Sequence, residues 1–287
     1  FVWIPKYRYQ LWDLGLYDSI TTIDTSKVHE IPIIFGDYNT SDDKEGECAT
    51  PMESGATGNC KVGDYMTHPA FLSIPSTGFW VGKFSTTYQN TNEDIYNPEN
   101  ISIKPNQQVW VLKNMAYAHL NSYDYKRKLD SHMMKNTEWG AVAYLSYSSY
   151  GIQNKIRINN NPDVTGYAAN NEPTCGWTGT NEECNRYCSD GSCNTSYPHS
   201  VLASTTGNVT GIFDMAGQRN TVMAFMEYSN GTITVGQSST HQSGFKGTLG
   251  DGSKNTTGTD LPEKKYYDLY QFSSNLNNTS FSRRILG

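Results

Sequence analysis

The sequence lacks any apolar run near the roughly 18–20 residues that a membrane-spanning helix needs. We recognise no signal-peptide pattern and no block of basic residues in it, and only 17 % of its residues are charged, with a net charge of −6. Binding to nucleic acid depends on cationic groups that neutralise phosphates, and this chain has no cluster of them. We therefore expect no nucleic-acid partner and no membrane span in this chain.

The sequence also lacks a Cys-x-x-Cys pair, and no histidine lies at ligand spacing in the loops that carry cysteine, which argues against structural zinc. The six cysteines lie instead in polar loops, and an even number in such loops predicts disulfides formed in an oxidising, extracellular compartment. Cys48 and Cys60 flank the first loop and form the expected local pair. The other four allow three pairings, which the sequence leaves open: Cys175, Cys184, Cys188 and Cys193.

With 287 residues, 20 of them Tyr and 25 Gly, the chain is long enough to bury a core and is rich in loop-forming and aromatic residues. Few helical periods and abundant Tyr, Thr, Val and Gly favour a β-rich or irregular α+β domain, and the cysteines predict long loops stapled by disulfides. We expect one domain over residues 1–287. It would carry loop insertions at about 36–66 and 159–204.

The clearest helical pattern runs over Met133–Gly151. Asn136 or Thr137 would cap its start, Glu138 would place negative charge at the positive end, and Gly151 would cap its end. Four residues at three- and four-residue spacing form the expected apolar face: Trp139, Val142, Ala143 and Ser146.

A second helix is predicted within residues 108–129. His119 and His132 are interpreted as structural, because neither has a nucleophile or carboxylate at a spacing that would complete a catalytic set. The strand Thr77–Phe84 alternates in a way that predicts two covered faces. Other predicted strands follow Pro5 or span residues 31–35, 101–104, 152–158 and 220–228.

A second informative segment is Gly207–Gly217, whose glycines are expected to form tight turns. Within it, Ile212, Phe213 and Met215 are expected to be buried. Asp214 is expected to accept hydrogen bonds from neighbouring backbone N–H groups in an Asx-type turn.

Four segments, in chain order, resemble the formylglycine-generating-enzyme (sulfatase-modifying-factor) family of C-type-lectin-like domains. They are Phe1–Pro5, Gly78–Phe84, Asn136–Tyr144 and Gly211–Gly217. The last two are the specific ones, because they carry the residues that match the family's helix and glycine-rich motif: Asn136, Glu138, Trp139, Gly211, Asp214, Met215 and Gly217. The resemblance implies an irregular α+β, C-type-lectin-like fold with short twisted sheets, two main helices and long disulfide-stapled loops. It is closest to non-enzymatic domains of bacterial and phage surface proteins.

The chain differs from the family in the segments that bind calcium and carry the reactive cysteines. The family usually continues with Gly-Asn-Val-Trp-Glu-Trp and holds calcium there, whereas Gly217 is followed here by Gln218-Arg219-Asn220. The reactive cysteine pair of the enzymes has no counterpart before Gly287. The resemblance therefore predicts no catalytic residue, no enzyme activity and no metal or cofactor, with calcium as the one cofactor it leaves open.

The family's closing C-terminal segment also has no counterpart here, so we expect either further chain or strand addition from another subunit. The favoured function is an extracellular adhesion module that binds a host-surface protein or glycan through Tyr-, Asn-, Ser- and Gly-rich loops. A subunit of a filament or virion, assembled from like copies, is the alternative, and an oxidase lacking its catalytic segment is the third hypothesis. The candidate binding surface comprises Trp177, Tyr187, Tyr197, Tyr266, Tyr267 and Tyr270, within residues 171–200 and 236–260 and the tail.

Overall fold

In the residues that the structure describes, the chain folds as a mixed α+β structure with two α-helices and small, mostly antiparallel sheets, which confirms the predicted α+β class. A computed structural model describes residues 1–10, 30–36, 65–71, 77–89, 96–110, 115–153, 156–159, 161, 163–169, 175–178, 181–184, 194–217, 222, 224–228, 233–234 and 262–272. Predictions that fall on other residues lie outside the described part of the chain.

The strands are short. They are β1 (Val2–Pro5), β2 (Tyr7–Gln10), β3 (Ile33–Phe35), β4 (Tyr65–Thr67), β5 (Gly78–Val81), β6 (Thr87–Tyr88), β7 (Ile101–Ser102), β8 (Tyr167–Ala169), β9 (Cys175–Thr178), β10 (Asn181–Cys184), β11 (Asn194–Ser196), β12 (Ala224–Tyr228), β13 (Ile233–Thr234) and β14 (Asp268–Phe272).

Two three-stranded sheets and four strand pairs organise these elements. β2 lies between β3 and β4, and β12 lies between antiparallel β13 and parallel β14. β1 pairs with β5 in a register that places Val2 opposite Val81 and Trp3 opposite Trp80. The remaining pairs are β6 with β7, β8 with β11, and β9 with β10.

The two helices are α1 (Met115–Tyr125) and α2 (Asn136–Ser146). The predicted caps of α2 are wrong: its N-cap is Lys135, and the helix ends at Ser146 with Tyr147 as C-cap, well before Gly151. The buried side chains of α2 are Glu138, Ala141, Val142 and Ser146, while Trp139 and Ala143 are half-buried.

Strands appear within most of the stretches in which they were predicted. The exception is residues 152–158, whose described residues 152, 153 and 156–158 form no strand. The backbone N–H of Ile152 donates to Thr205 O, and that of Arg157 donates to Leu202 O. This segment is therefore bonded to the 3₁₀ turn Val201–Ala203 and the residues after it, and not to a strand.

The main core lies between α2 and the strands β1, β2 and β5. Tyr7 is fully buried, and its hydroxyl donates to the backbone carbonyl of Ala141 at 2.7 Å, which fixes the sheet to the helix. Beside it, the ring of His68 is enclosed by aromatic side chains, and burial lowers its pKa to about 3. The histidine is therefore neutral and part of the core. The rings around it belong to Tyr7, Tyr9, Phe71 and Tyr144.

Substitution of alanine for glycine should have opposite effects on stability at two positions, one inside α2 and one shortly after it. A Cβ on Gly140, inside the helix, would meet only the His68 ring at an ordinary 3.6 Å. We expect Gly140→Ala to raise the free energy of unfolding by about 0.5–1 kcal/mol, because alanine loses less backbone entropy in a helix. A Cβ on Gly151 would lie 2.3 Å from the carbonyl oxygens of Leu145 and Ser146. Because of this clash, we expect Gly151→Ala to lower the free energy of unfolding by about 1–3 kcal/mol.

Urea denaturation of the two variants measures both effects. Changes of the same sign in both would contradict the packing described here.

Candidate functional site

The glycine-rich stretch that ends at Gly217 places one buried carboxylate where three chain segments meet. Asp214 is 2 % exposed and has a left-handed backbone, with φ of 63°. One carboxylate oxygen accepts from Asn159 Nδ2 and from the backbone N–H of Gly166, both at 2.8 Å. The other accepts from the backbone N–H of Ser85 at 3.2 Å. The burial of Ile212, Phe213 and Met215 is confirmed.

The described hydrogen bonds of Asp214 reach far along the chain. Their donors lie 48 to 129 positions away. A single charged group thus connects the strand region after β5, the segment before β8 and the glycine-rich loop, where its charge strengthens each hydrogen bond. At the end of the loop, a Cβ on Gly217 would lie 2.3 Å from Asn159 O, so glycine is required for this close approach.

The start of α2 is completed by a carboxylate from the distant strand β14. Asp268 accepts from the backbone N–H of Thr137 at 2.7 Å and from its hydroxyl at 3.0 Å, across 131 residues of sequence. Glu138 accepts from the backbone N–H of Lys135 at 2.8 Å. Both carboxylates lie at the positive end of the helix dipole, so Glu138 has the role that the sequence predicts.

His132 lies beside this helix start with acceptors at both ring nitrogens. Nδ1 is 2.8 Å from the carbonyl oxygen of Asp130, and Nε2 is 3.0 Å from Glu138 Oε1. Burial alone would lower the pKa of His132, but the hydrogen bond and charge of Glu138, together with the Asp130 carbonyl, raise it above the usual value. For His119, burial and then the charge of His132 lower the pKa.

Tyr266 belongs to the interior of this polar cluster and is only 4 % exposed. Its ring packs against Tyr123 and His132, with centroids 5.3 and 5.5 Å away, and its hydroxyl donates to Asp130 at 2.5 Å. Burial, followed by that hydrogen bond, raises the pKa of Tyr266 to about 12. Its assignment to the candidate binding surface is corrected, because both its ring and its hydroxyl are already engaged.

The remaining predicted surface residues differ in what the structure describes. Tyr197 is half-buried, with its ring against Phe84 and Phe213, and Tyr267 is half-buried as well. For Trp177 and Tyr270 only the backbone is described, in β9 and β14. Five residues lie outside the described part of the chain: Tyr187, Cys48, Cys60, Cys188 and Cys193.

An exposed aromatic group that the sequence analysis missed lies on the outer face of the β1–β5 pair. Trp80 is 65 % exposed, Phe1 62 % and Trp3 38 %, and the two indole rings are 5.2 Å apart with planes at 56°. The prediction that both faces of the Thr77–Phe84 strand are covered is therefore wrong for the face that bears Trp80. A Cβ on Gly78 would lie 2.6 Å from the Trp3 ring, so this glycine leaves the space that the ring occupies.

The β9–β10 backbone bears on the open question of cysteine pairing. Cys175 lies directly opposite Cys184 in the antiparallel register. Opposed residues in such a pair have Cα atoms about 4.5–5.5 Å apart, which lies within the roughly 4.4–6.8 Å range of disulfides. Of the three pairings that the sequence allows, the register favours the one that joins these two.

The comparisons with known proteins add no assignment: no family model and no curated protein matches this sequence. Within the described segments, neither helix is long and apolar enough to cross a membrane. Across the same segments, no group of three or more His, Cys, Asp or Glu side chains is placed to hold a metal ion.

Replacement of Asp214 by alanine tests the carboxylate junction. The buried donors of Asn159 and Gly166 would lose their acceptor at an estimated 1–3 kcal/mol each, and so would the half-buried N–H of Ser85. We therefore expect the free energy of unfolding to fall by about 3 kcal/mol or more. Chemical denaturation measures the change. Glu30→Ala, at an exposed carboxylate in a separate segment of the chain, is the control and should change stability by less than about 0.5 kcal/mol. Equal effects in the two variants would refute the role of Asp214.

Disulfide mapping of the unreduced protein tests the cysteine pairing. We expect the peptide containing Cys175 to be joined to the peptide containing Cys184, and Cys188 to be joined to Cys193. A bond from Cys175 to either of the latter two would contradict the register argument. Proteolysis at four positions separates all four cysteines before mass spectrometry: after Glu182, Glu183 and Arg186, and before Asp190.

Proposed function

We propose that the protein is an extracellular binding module, displayed on a cell, pilus or phage surface and built on a C-type-lectin-like scaffold. Three features support this proposal. The helix and glycine-rich segments resemble the formylglycine-generating-enzyme family, the even set of cysteines lies in polar loops, and the α+β framework is tied together by buried polar contacts.

The observation that carries the proposal is the exposed indole pair of Trp3 and Trp80. Large aromatic side chains usually contribute their area to a core, and a cluster of them left open to solvent is characteristic of a binding surface. Here the inner face of the same strand pair already supplies Ile4 and Val81 to the core. The outer face is therefore held by a fixed backbone, so that binding does not have to order it.

The ligand class that best fits this surface is a glycan. The face of an indole ring is electron-rich, and the C–H groups of a pyranose ring carry the complementary partial positive charge. Two adjoining indoles at 5.2 Å, with planes tilted by 56°, form a bent platform for consecutive sugar rings. A sugar chain also buries little area, which suits a platform of two or three side chains.

Binding to an array of immobilised oligosaccharides tests the proposal. We expect the wild-type protein to bind a subset of the glycans, and the Trp3→Ala/Trp80→Ala variant to lose at least tenfold in affinity, because each indole contributes stacking area. Tyr96→Ala removes another exposed aromatic residue, at a separate segment of the chain, and should retain binding.

Thermal unfolding provides the check on folding, since the indoles are exposed and their loss should leave the structure intact. Absence of glycan binding by the wild type, or equal binding by both variants, would contradict the proposal. A discrete oligomer or filament that the double variant fails to form would instead favour the alternative function as a structural subunit. The second edge of β1 supports that alternative, since among the described residues β1 pairs only with β5.

A further inference from the structure

The hydrogen bonds of His132 require a proton that a neutral imidazole cannot supply. The carbonyl oxygen of Asp130, 2.8 Å from Nδ1, can only accept, so Nδ1 must carry hydrogen. A neutral ring then presents a lone pair at Nε2, which faces Glu138 Oε1 at 3.0 Å. Two acceptors at that distance repel each other unless a proton lies between them.

The surroundings of Glu138 place that proton on the histidine. Its second carboxylate oxygen already accepts the backbone N–H of Lys135, and the Lys135 ammonium group lies 3.8 Å from Oε1. The helix start adds further positive potential around the same carboxylate. Against burial and the opposing charge of Lys135, the hydrogen bond and charge of Glu138 raise the pKa of His132 and favour its doubly protonated form.

The turn that His132 holds is the surface on which a distant segment docks. Asp130 has a left-handed backbone, and its carboxylate accepts from the Tyr266 hydroxyl at 2.5 Å and from Lys265 Nζ at 3.1 Å. Asp268 continues the contact at Thr137, in the first turn of α2. We call residues 263–268 the docked segment. Its contacts with residues 130–137 depend on the position of that turn.

We propose that His132 is a proton-operated clamp: with two protons its ring joins the Asp130 turn to the start of α2, and loss of one proton releases the docked segment. One of the two acceptors then loses its donor, and the Asp130 turn is free to move away from Glu138. The Tyr266 ring, which packs on the imidazole, loses its support at the same time.

The sign of the pH dependence follows from the direction of the pKa change. The pKa of His132 is raised in the folded state. Its contribution to docking is therefore complete below the ordinary histidine pKa of about 6.5 and is lost as pH rises through the folded value. Ionisable groups lie around the ring on each neighbouring element: Asp130 in the turn, Lys135 and Glu138 at the start of α2, His119 in α1, and Tyr266 in the docked segment. Lys265 and Asp268 of the docked segment contact Asp130 and Thr137.

Amide hydrogen exchange, with an NMR titration of the histidines, tests the clamp between pH 5.5 and 9. The Thr137 amide is the reporter, because it donates to the docked segment. We expect its protection factor to fall with rising pH, by about tenfold for each unit by which the pKa of His132 exceeds 6.5. In His132→Gln the protection should be lower at acid pH and should no longer depend on the titration.

His199→Gln removes an exposed histidine and should retain the wild-type pH dependence. A pH-independent Thr137 amide in the wild type, or an unchanged dependence in His132→Gln, would overturn the proposal. If the glutamine variant does not fold, the wild-type spectra still decide. The Tyr266 ring resonances must then titrate with the midpoint of His132, and a midpoint that differs from it would refute the clamp. Glycan binding is measured separately, so either proposal can fail without the other.

Discussion

The carboxylate of Asp214 is the constraint on which the arrangement of the second half of the structure depends. It accepts hydrogen bonds from Ser85, Asn159 and Gly166, which belong to segments with little regular structure of their own. Strands of two to five residues cannot align such segments by backbone pairing alone. A buried charge is costly unless its hydrogen-bonding capacity is filled, so only the arrangement that brings all three donors together is stable.

Local patterns in the sequence identify the elements, and distant contacts decide how those elements end and combine. Residues at helical spacing locate α2, and a glycine-rich stretch locates the loop of Asp214. The acceptor for the first turn of α2 is missed because Asp268 supplies it from a distant part of the chain. Similarly, the partners of Asp214 come from three separate segments. No local rule for turns identifies donors that are brought close only by tertiary structure.

The surface is harder to predict from the sequence than the core. Trp3 and Trp80 are far apart in the chain, and only the register of β1 with β5 makes them neighbours. A tyrosine-rich tail, by contrast, is typical of a recognition surface, yet Tyr266 is enclosed by α1 and the turn before α2. The same side-chain chemistry serves contact with a partner or contact within the chain. The exposed fraction of each ring distinguishes a ring that is open to a partner from one that is packed within the chain.

The contact between Thr137 and Asp268 also has a kinetic consequence. The first turn of α2 cannot gain its Asp268 acceptor, 131 residues away, until the chain has been synthesised as far as Asp268. The first turn of α2 should therefore remain frayed until the loop closes, and the entropy of closing so long a loop slows the step. The parallel pairing of β12 with β14 requires the same segment. The late arrival of residues 263–272 thus delays both the first turn of α2 and the pairing of β12 with β14.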